Sequence, residues 1–320
     1  MNKKELIKII DNFKGKKIGV IGDLMLDQFI WGDVERISPE APVPVVFVER
    51  ESFIPGGAGN TANNISALGG KTFIVGLAGE DLAGQKLEKE LKKRRINTKG
   101  ILKSNKKPTT QKIRVIARNQ QVVRIDKENC NDIIKKTERK TINFISSQIQ
   151  NWDGLVISNY AKGFITENLV QEIISLSKKH QKFIIVDTKP KQAFYFKDVF
   201  LLTPNLREAK EISGKESLEE AGKAIQEKLN CNVLITQAAE GMTLFEKDKI
   251  KHFPAKAKEV FDVSGAGDTV VGILALSLAS GANLEEAAII ANHGAGIVVG
   301  KIGTAVVSPQ ELKKDLENNG

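Results

Sequence analysis

The chain is poor in cysteine, histidine and aromatic residues, and each scarcity narrows what it can be. Its two cysteines, Cys130 and Cys231, lie far apart with no C-x-x-C partner. That excludes a zinc pattern and a disulfide framework, and it fits a reducing cytoplasm. Only two tryptophans and two tyrosines offer stacking platforms, and no nucleic-acid motif accompanies them. A nucleic-acid partner is therefore not expected, although the formal charge is +9. The basic residues are scattered through Lys-Lys pairs, as on a solvated surface. The same excess also favours anionic ligands such as sugar phosphates or nucleotides. The longest apolar run, VVGILALSLA from Val270, is too short to span a bilayer. The amino-terminal MNKKELIKIIDNFKGKK lacks the apolar core of a signal peptide and reads as a short amphipathic helix. Cytoplasmic location without membrane contact is the expectation. No internal repeat or low-complexity tract is present.

What is present is an ordinary globular composition, 41% hydrophobic and 27% charged over 320 residues. Short apolar runs alternate with longer helical patterns. KIGVI (Lys17 to Ile21), TFIVGL (Thr72 to Leu77), GLVIS (Gly154 to Ser158), KFIIVD (Lys182 to Asp187) and NVLIT (Asn232 to Thr236) read as buried strands. Helical patterns such as Thr137 to Gln150 and Thr166 to His180 fall between them. This order predicts a single three-layer α/β domain over 1–320, with a mostly parallel central sheet and helices on both faces. Ligands in such sheets bind beyond the carboxyl ends of the strands.

Two segments break the pattern. VPVVFVERES (Val43 to Ser52) and QKIRVIARNQQVVRID (Gln111 to Asp126) read as half-buried antiparallel strands. They predict a small β lid, formed by roughly 30–52 and 108–127. Three of the nine prolines crowd into ISPEAPVPVVFV, Ile37 to Val48. Proline cannot donate to a ladder, so it suits an edge or entry position of such a lid. The lid's exposed edge also predicts a homodimer through edge pairing.

The strongest chemical signal is FDVSGAGDTVVGILALSLASG, Phe261 to Gly281. Gly265, Ala266 and Gly267 leave backbone N–H groups unshielded at the start of an apolar helix, where they suit an anion. Asp268 lies on the first turn, placed to accept a proton from an attacking hydroxyl and held ionised by the helix dipole. The plainer alternative is a tight turn with a helix-start carboxylate. A second Gly-rich stretch, PGGAGNTANNISALGG, puts Gly56 and Gly57 at a helix start and offers Asn60 as donor and acceptor. Neither stretch is a Walker A loop or a dinucleotide loop. Ile65 and Val270 occupy positions where those patterns require glycine. Asp23 and Asp27, in GDLMLD after the first strand, can grip sugar hydroxyls or simply be solvated. Asn205 and Glu208, three apart in TPNLREAKEISG, either face one metal–phosphate group or form a capping box. His293 has no second histidine at ligand spacing and reads as a packed core residue.

In order, GDLMLD, GGAGN, the lid, NLRE and DVSGAGDT resemble the ribokinase-like (pfkB) carbohydrate kinases, from about Lys16 to about Leu316. The resemblance implies a ribokinase-like fold with a β lid and Mg-ATP-dependent phosphorylation of a sugar hydroxyl, with K⁺ as a further cofactor of related kinases. It implies Asp268 as base and Gly265, Ala266 and Gly267 as anion hole. It places Asp23, Asp27, Gly56, Gly57, Asn60 and Arg114 at the sugar, with Asn159, Lys162 and Lys189 beside them. Asn205 and Glu208 would order Mg-phosphate through water, and Thr236, Gly241 and Asn292 would meet the nucleotide. SPEAPVPVV, ARNQQ, SNYAKG, LTPNL and VVGKIGT are similar to the branch acting on D-glycero-β-D-manno-heptose 7-phosphate at O1, in ADP-heptose and lipopolysaccharide core synthesis. There the proline stretch would shape the sugar pocket. A separate adenylyltransferase and a phosphatase would complete that pathway. Two departures stand out: Asn159 where that branch has Asp, and Asp187-Thr188-Lys189-Pro190 where it has Asp-Pro-Lys-Gly.

Overall fold

The computed structural model describes residues 3–118, 120–247, 249–256, 260–301 and 303–319. Asn119 of ARNQQ and Ile302 of VVGKIGT lie outside the described residues. The chain begins with α1 (Lys3–Asp11), β1 (Lys17–Gly22), β2 (Leu24–Ile37), β3 (Pro44–Gly57), α2 (Ala58–Ala67), β4 (Lys71–Gly79), α3 (Leu82–Lys93) and β5 (Asn97–Ser104). It continues through β6 (Thr110–Ala117), β7 (Gln120–Lys127), α4 (Lys135–Gln148), β8 (Gly154–Asn159), α5 (Glu167–Lys179), β9 (Ile184–Thr188), β10 (Leu201–Leu202) and α6 (Leu206–Ser213). Then follow α7 (Leu218–Leu229), β11 (Asn232–Thr236), β12 (Met242–Glu246), β13 (Lys249–Phe253), α8 (Ala266–Ala279), α9 (Leu284–Val299) and α10 (Pro309–Asn319).

Among the described residues the large sheet runs β13-β12-β11-β10-β9-β8-β1-β4-β5. It is parallel from β11 to β5, and β12 and β13 add antiparallel at one edge. Its strands are apolar on both faces because both faces are covered. Val156 packs into one core layer with α2, α8 and α9, while Leu155 and Ile157 pack into the other with α5 and α7. Helix α8 is buried along nearly its whole length, from Asp268 to Ser277, which explains its uniformly apolar sequence. Gly294 of α9 makes this close approach possible, since a Cβ there would lie 2.0 Å from Ile273 Cδ1 of α8. Among the described residues no helix is long and apolar enough to cross a membrane.

The small sheet has the order β3-β2-β6-β7. Two antiparallel hairpins, β2–β3 and β6–β7, join through a parallel β2–β6 ladder. Strand β2 begins at Leu24, ahead of the roughly 30–52 expected for the lid from sequence. LMLDQFIWGDVERI is a single 14-residue strand, so Asp27 sits on a ladder rather than in a loop. Gly56 and Gly57 close β3, and α2 starts one residue later. Of the crowded prolines, Pro39 and Pro42 occupy the exposed β2–β3 turn and Pro44 opens β3. Asp27 lies ten strand residues away, about 30 Å at the usual rise. Within one chain they mark the lid's far tip, away from the cleft.

Candidate active site

Strand order turns at β1. From there β4 and β5 extend one side of the sheet, and β8 to β11 extend the other. The crevice beyond the carboxyl ends of β1 and β8 is thus the topological switch point. Asp23 and Tyr160 follow directly after those two strands.

Asp268 stands on the first turn of α8, where Gly265 caps the helix in a left-handed conformation, φ 81°. A Cβ at Gly265 would come within 2.7 Å of Asn60 Nδ2, so glycine also makes room for the partner of Asp268. Asn60 Nδ2 donates to Asp268 Oδ2 at 2.7 Å, and Thr61 Oγ1 donates to Oδ1 at 2.6 Å. The Tyr160 hydroxyl straddles both oxygens at 3.2 and 3.3 Å. Burial raises the Asp268 carboxyl above its ordinary range, and these three donors only partly offset it. The dipole-based expectation of an easily ionised group is thereby corrected, because desolvation outweighs the helix end. Burial and the adjacent Asp268 push the Tyr160 phenol well above its usual value, so it remains a donor. The amide oxygen of Asn60 is buried without a hydrogen-bond partner.

On the neighbouring strands a second cluster gathers. Lys189 Nζ donates to Glu208 Oε1 at 2.6 Å and lies 5.6 Å from the Tyr160 ring centroid. Asn205 and Glu208 form the capping box of α6, each accepting the other's backbone N–H. The structural alternative weighed for this pair is therefore realised. Burial acts against the Lys189 ammonium, yet Glu208, Asp187 and Asp268 raise it above its ordinary value. Asp187 at the end of β9 is pushed up to about 7 by burial, then by Asp268 and Glu208, with Lys189 opposing. Thr236 ends β11 beside Asn205 through a parallel bridge.

The sugar-side candidates divide. Asp27 pairs with Arg114 Nη1 at 2.5 Å across the β2–β6 ladder. Gly56 gives that carboxylate room, since a Cβ there would lie 2.2 Å from Asp27 Oδ2. Asp23 is engaged differently. Its oxygens accept backbone N–H groups of Tyr160, Lys162 and Phe164 at 2.8, 3.1 and 3.1 Å, so it organises a loop. Lys162 Nζ pairs with Glu128, just after β7, at 2.7 Å. Asn159 is buried, donating to Thr188 and Gln192 and accepting from the Ala161 N–H. Gly241 and Asn292 meet at another segment, where Asn292 Nδ2 donates to the Pro254 carbonyl at 2.7 Å. His293 is buried against Asp315, as a core histidine would be.

Sequence reasoning missed Thr61, Tyr160 and Asp187 as members of the site. Thr61 follows Asn60 in GGAGNT, and Tyr160 lies inside SNYAKG, so both motifs held the signal. Asp187 ends an apolar run, which is also where a switch-point ligand is expected. Among the described residues no three His, Cys, Asp or Glu side chains converge as a metal cage.

Solved structures define the class through the fold. Arabidopsis thaliana ribokinase complexed with ribose and ATP superposes with TM-score 0.75 at 19% identity, covering 95% of this chain and 99% of its own. Escherichia coli phosphofructokinase-2 in complex with potassium gives 0.78 at 19%, with 95% and 99% covered. The fold is thus ribokinase-like, a three-layer α/β body with a separate small sheet. The pfkB family carbohydrate kinase profile matches residues 16–311, and the chain belongs to that family. Two curated proteins named bifunctional protein HldE are each 42% identical to it. The one from Desulfatibacillum aliphaticivorans aligns over 313 residues and 96% of this chain, the one from Helicobacter pylori over 303 residues and 93%. The chain spans 64% and 65% of their respective lengths.

Proposed function

We propose that this carbohydrate kinase transfers the γ-phosphate of ATP to O1 of D-glycero-β-D-manno-heptose 7-phosphate, giving the 1,7-bisphosphate. The observation that carries the reading is the Asp268 carboxylate, held by Asn60, Thr61 and Tyr160 beside the amino end of α8. In the proposed step Asp268 accepts the proton of the acceptor hydroxyl while its oxygen bonds to the γ-phosphorus. The bond from that phosphorus to the bridging oxygen breaks, and ADP leaves. Proton movement late in a loose transition state suits a carboxylate acceptor. Of the first-turn N–H groups, those of Gly265 and Gly267 would face charge growing on the transferred phosphoryl, while that of Ala266 donates to the Val263 carbonyl at 3.2 Å. Lys189, expected beside the sugar, is instead assigned to the nucleotide side, because it bonds Glu208 of the proposed Mg-phosphate pair.

The sugar assignment is supported by the similarity to the HldE proteins and by the SPEAPVPVV, SNYAKG and VVGKIGT stretches. Asp27 and Arg114 are its proposed sugar contacts, with Gly57 and Asn60. Thr236, Gly241 and Asn292 are its proposed nucleotide contacts. Mg²⁺ bound with ATP would neutralise phosphate charge. The donor set fits contact through water, because Glu208 and Asn205 already cap α6 and Glu208 also holds Lys189. Dependence on K⁺ is an open arm of the same assay. The reading places the reaction in the cytoplasm, with a phosphatase and an adenylyltransferase acting on its product. A homodimer through the lid is favoured by exposed Phe47, Val48, Val123 and Ile125 on the small sheet.

The test is ATP turnover with β-heptose 7-phosphate, fructose 6-phosphate, ribose and fructose, in NaCl and in KCl, with D268N as control. Heptose-dependent turnover lost in D268N is expected. Preference for fructose 6-phosphate would move the substrate within the family. Binding without turnover would make the chain a sugar- or nucleotide-binding regulator instead.

A further inference from the structure

The hydrogen bonds to Asp268 are unequal. Thr61 and Asn60 hold one oxygen each at 2.6 and 2.7 Å and are themselves buried on α2. The Tyr160 hydroxyl is the loose partner, shared between both oxygens at 3.2 and 3.3 Å, beyond the usual range for O–H···O bonds. Tyr160 also differs in its mounting. It lies on the loop after β8, half-buried, and its ring rests beside the Lys189 ammonium. A hydroxyl that bridges the two carboxylate oxygens fills one of the directions from which another hydroxyl could donate to them. An acceptor hydroxyl cannot donate to Asp268 along that direction while the phenol remains there.

We propose that the Tyr160 hydroxyl occupies the seat of the acceptor hydroxyl in the unliganded enzyme, and that the sugar displaces it on binding. The inference rests on the kinase reading above and adds a positioning residue to it. It assigns the phenol two states. In the resting state it covers the Asp268 carboxylate and keeps water off the proton acceptor. In the liganded state the ring turns with its hydroxyl and leaves Asp268 to the sugar, while the backbone N–H of Tyr160 stays on Asp23. The movement required is a turn of one side chain, because the phenol oxygen is fixed in the plane of its ring.

The chain has two tyrosines, Tyr160 and Tyr195, so a fluorine label reads the contact directly. In protein carrying 3-fluorotyrosine, Y160F assigns the two resonances. The Tyr160 resonance should move when the free protein carries D268N. In the wild type it should also move on saturation with β-heptose 7-phosphate without ATP, while the Tyr195 resonance stays. Kinetically, Y160F removes a competitor for the seat. One weak hydrogen bond corresponds to about a two- to tenfold lower acceptor KM, with the ATP KM held within about twofold. An acceptor KM unchanged or raised, or a kcat lowered more than about tenfold, would mean that Tyr160 works during transfer, and the displacement would be wrong. An unmoved Tyr160 resonance with an acceptor that turns over would overturn the displacement alone. Absence of turnover by the wild type with every sugar tested would overturn the kinase reading and the displacement together.

Discussion

Replacing Asp268 by Asn should separate activity from stability, and the structure sets both magnitudes. The change removes the charge and keeps the shape. Two charge-assisted hydrogen bonds, from Thr61 at 2.6 Å and Asn60 at 2.7 Å, become neutral ones. That costs about 1 kcal/mol each. Two terms act the other way. Burial raises the Asp268 carboxyl, so its ionised form is costly near neutral pH, and the amide removes that cost. The new amide would face the Asn60 Nδ2 donor, but Asn60 has a buried oxygen without a partner. Turning the Asn60 amide over repairs the contact and satisfies that oxygen, for about 1 kcal/mol. The terms offset to within about 2 kcal/mol, so Tm should shift by no more than about 5 °C in either direction. Turnover should fall by about 10²–10⁴, the usual contribution of a general base. Thermal denaturation alongside a coupled ADP-release assay decides it. Turnover retained within tenfold, or a Tm loss above about 10 °C, would refute the argument.

Asp187, held at about 7 in the folded chain, has its pKa raised above the unfolded value. Its ionisation therefore erodes stability as pH rises from about 4 to about 7. D187N should gain in Tm relative to wild type at pH 8 more than at pH 5, and an equal difference at both would refute this. K189M removes the 2.6 Å partner of Glu208, and since the Lys189 side chain is 43% exposed, stability should change by less than about 1 kcal/mol. The same change should raise the ATP KM about tenfold and leave the sugar KM nearly constant, and the opposite split would move Lys189 to the sugar. G294A drives a methyl into Ile273 at the α8–α9 contact and should cost about 1–3 kcal/mol in chemical denaturation. A variant as stable as wild type would mean that the helices can separate without loss.

The strands of the large sheet were legible because continuous apolar runs signal burial on both faces, and GLVIS and NVLIT appear as β8 and β11 within a residue. Strand β2 was not, since LMLDQFIWGDVERI mixes two environments. Its first residues are buried in the body and its last are exposed in the lid, so no single alternation runs through it. Asp268 was legible from small residues before a helix. Its surroundings were not, because Thr61 and Tyr160 reach it from distant positions that only the folded sheet brings together. Asp23 illustrates the converse. A carboxylate after the first strand looks like a sugar ligand until its oxygens are found on three backbone N–H groups.

That arrangement gives the loop after β8 a larger part than its length suggests. Asp23 fixes the backbone of Tyr160, Lys162 and Phe164 from the end of β1, the adjacent strand across the switch point. Along this short stretch, Tyr160 reaches Asp268 and its ring meets Lys189, while Lys162 reaches Glu128 just after lid strand β7. Asp268, Lys189 and the lid thus share one anchored loop. Burial raises the Asp23 carboxyl, and the three backbone donors oppose that rise. An isosteric amide at Asp23 would present an N–H to at least one of these donors and loosen the loop. Its effects would then fall on all three contacts together, whereas a direct sugar ligand would affect the acceptor KM alone.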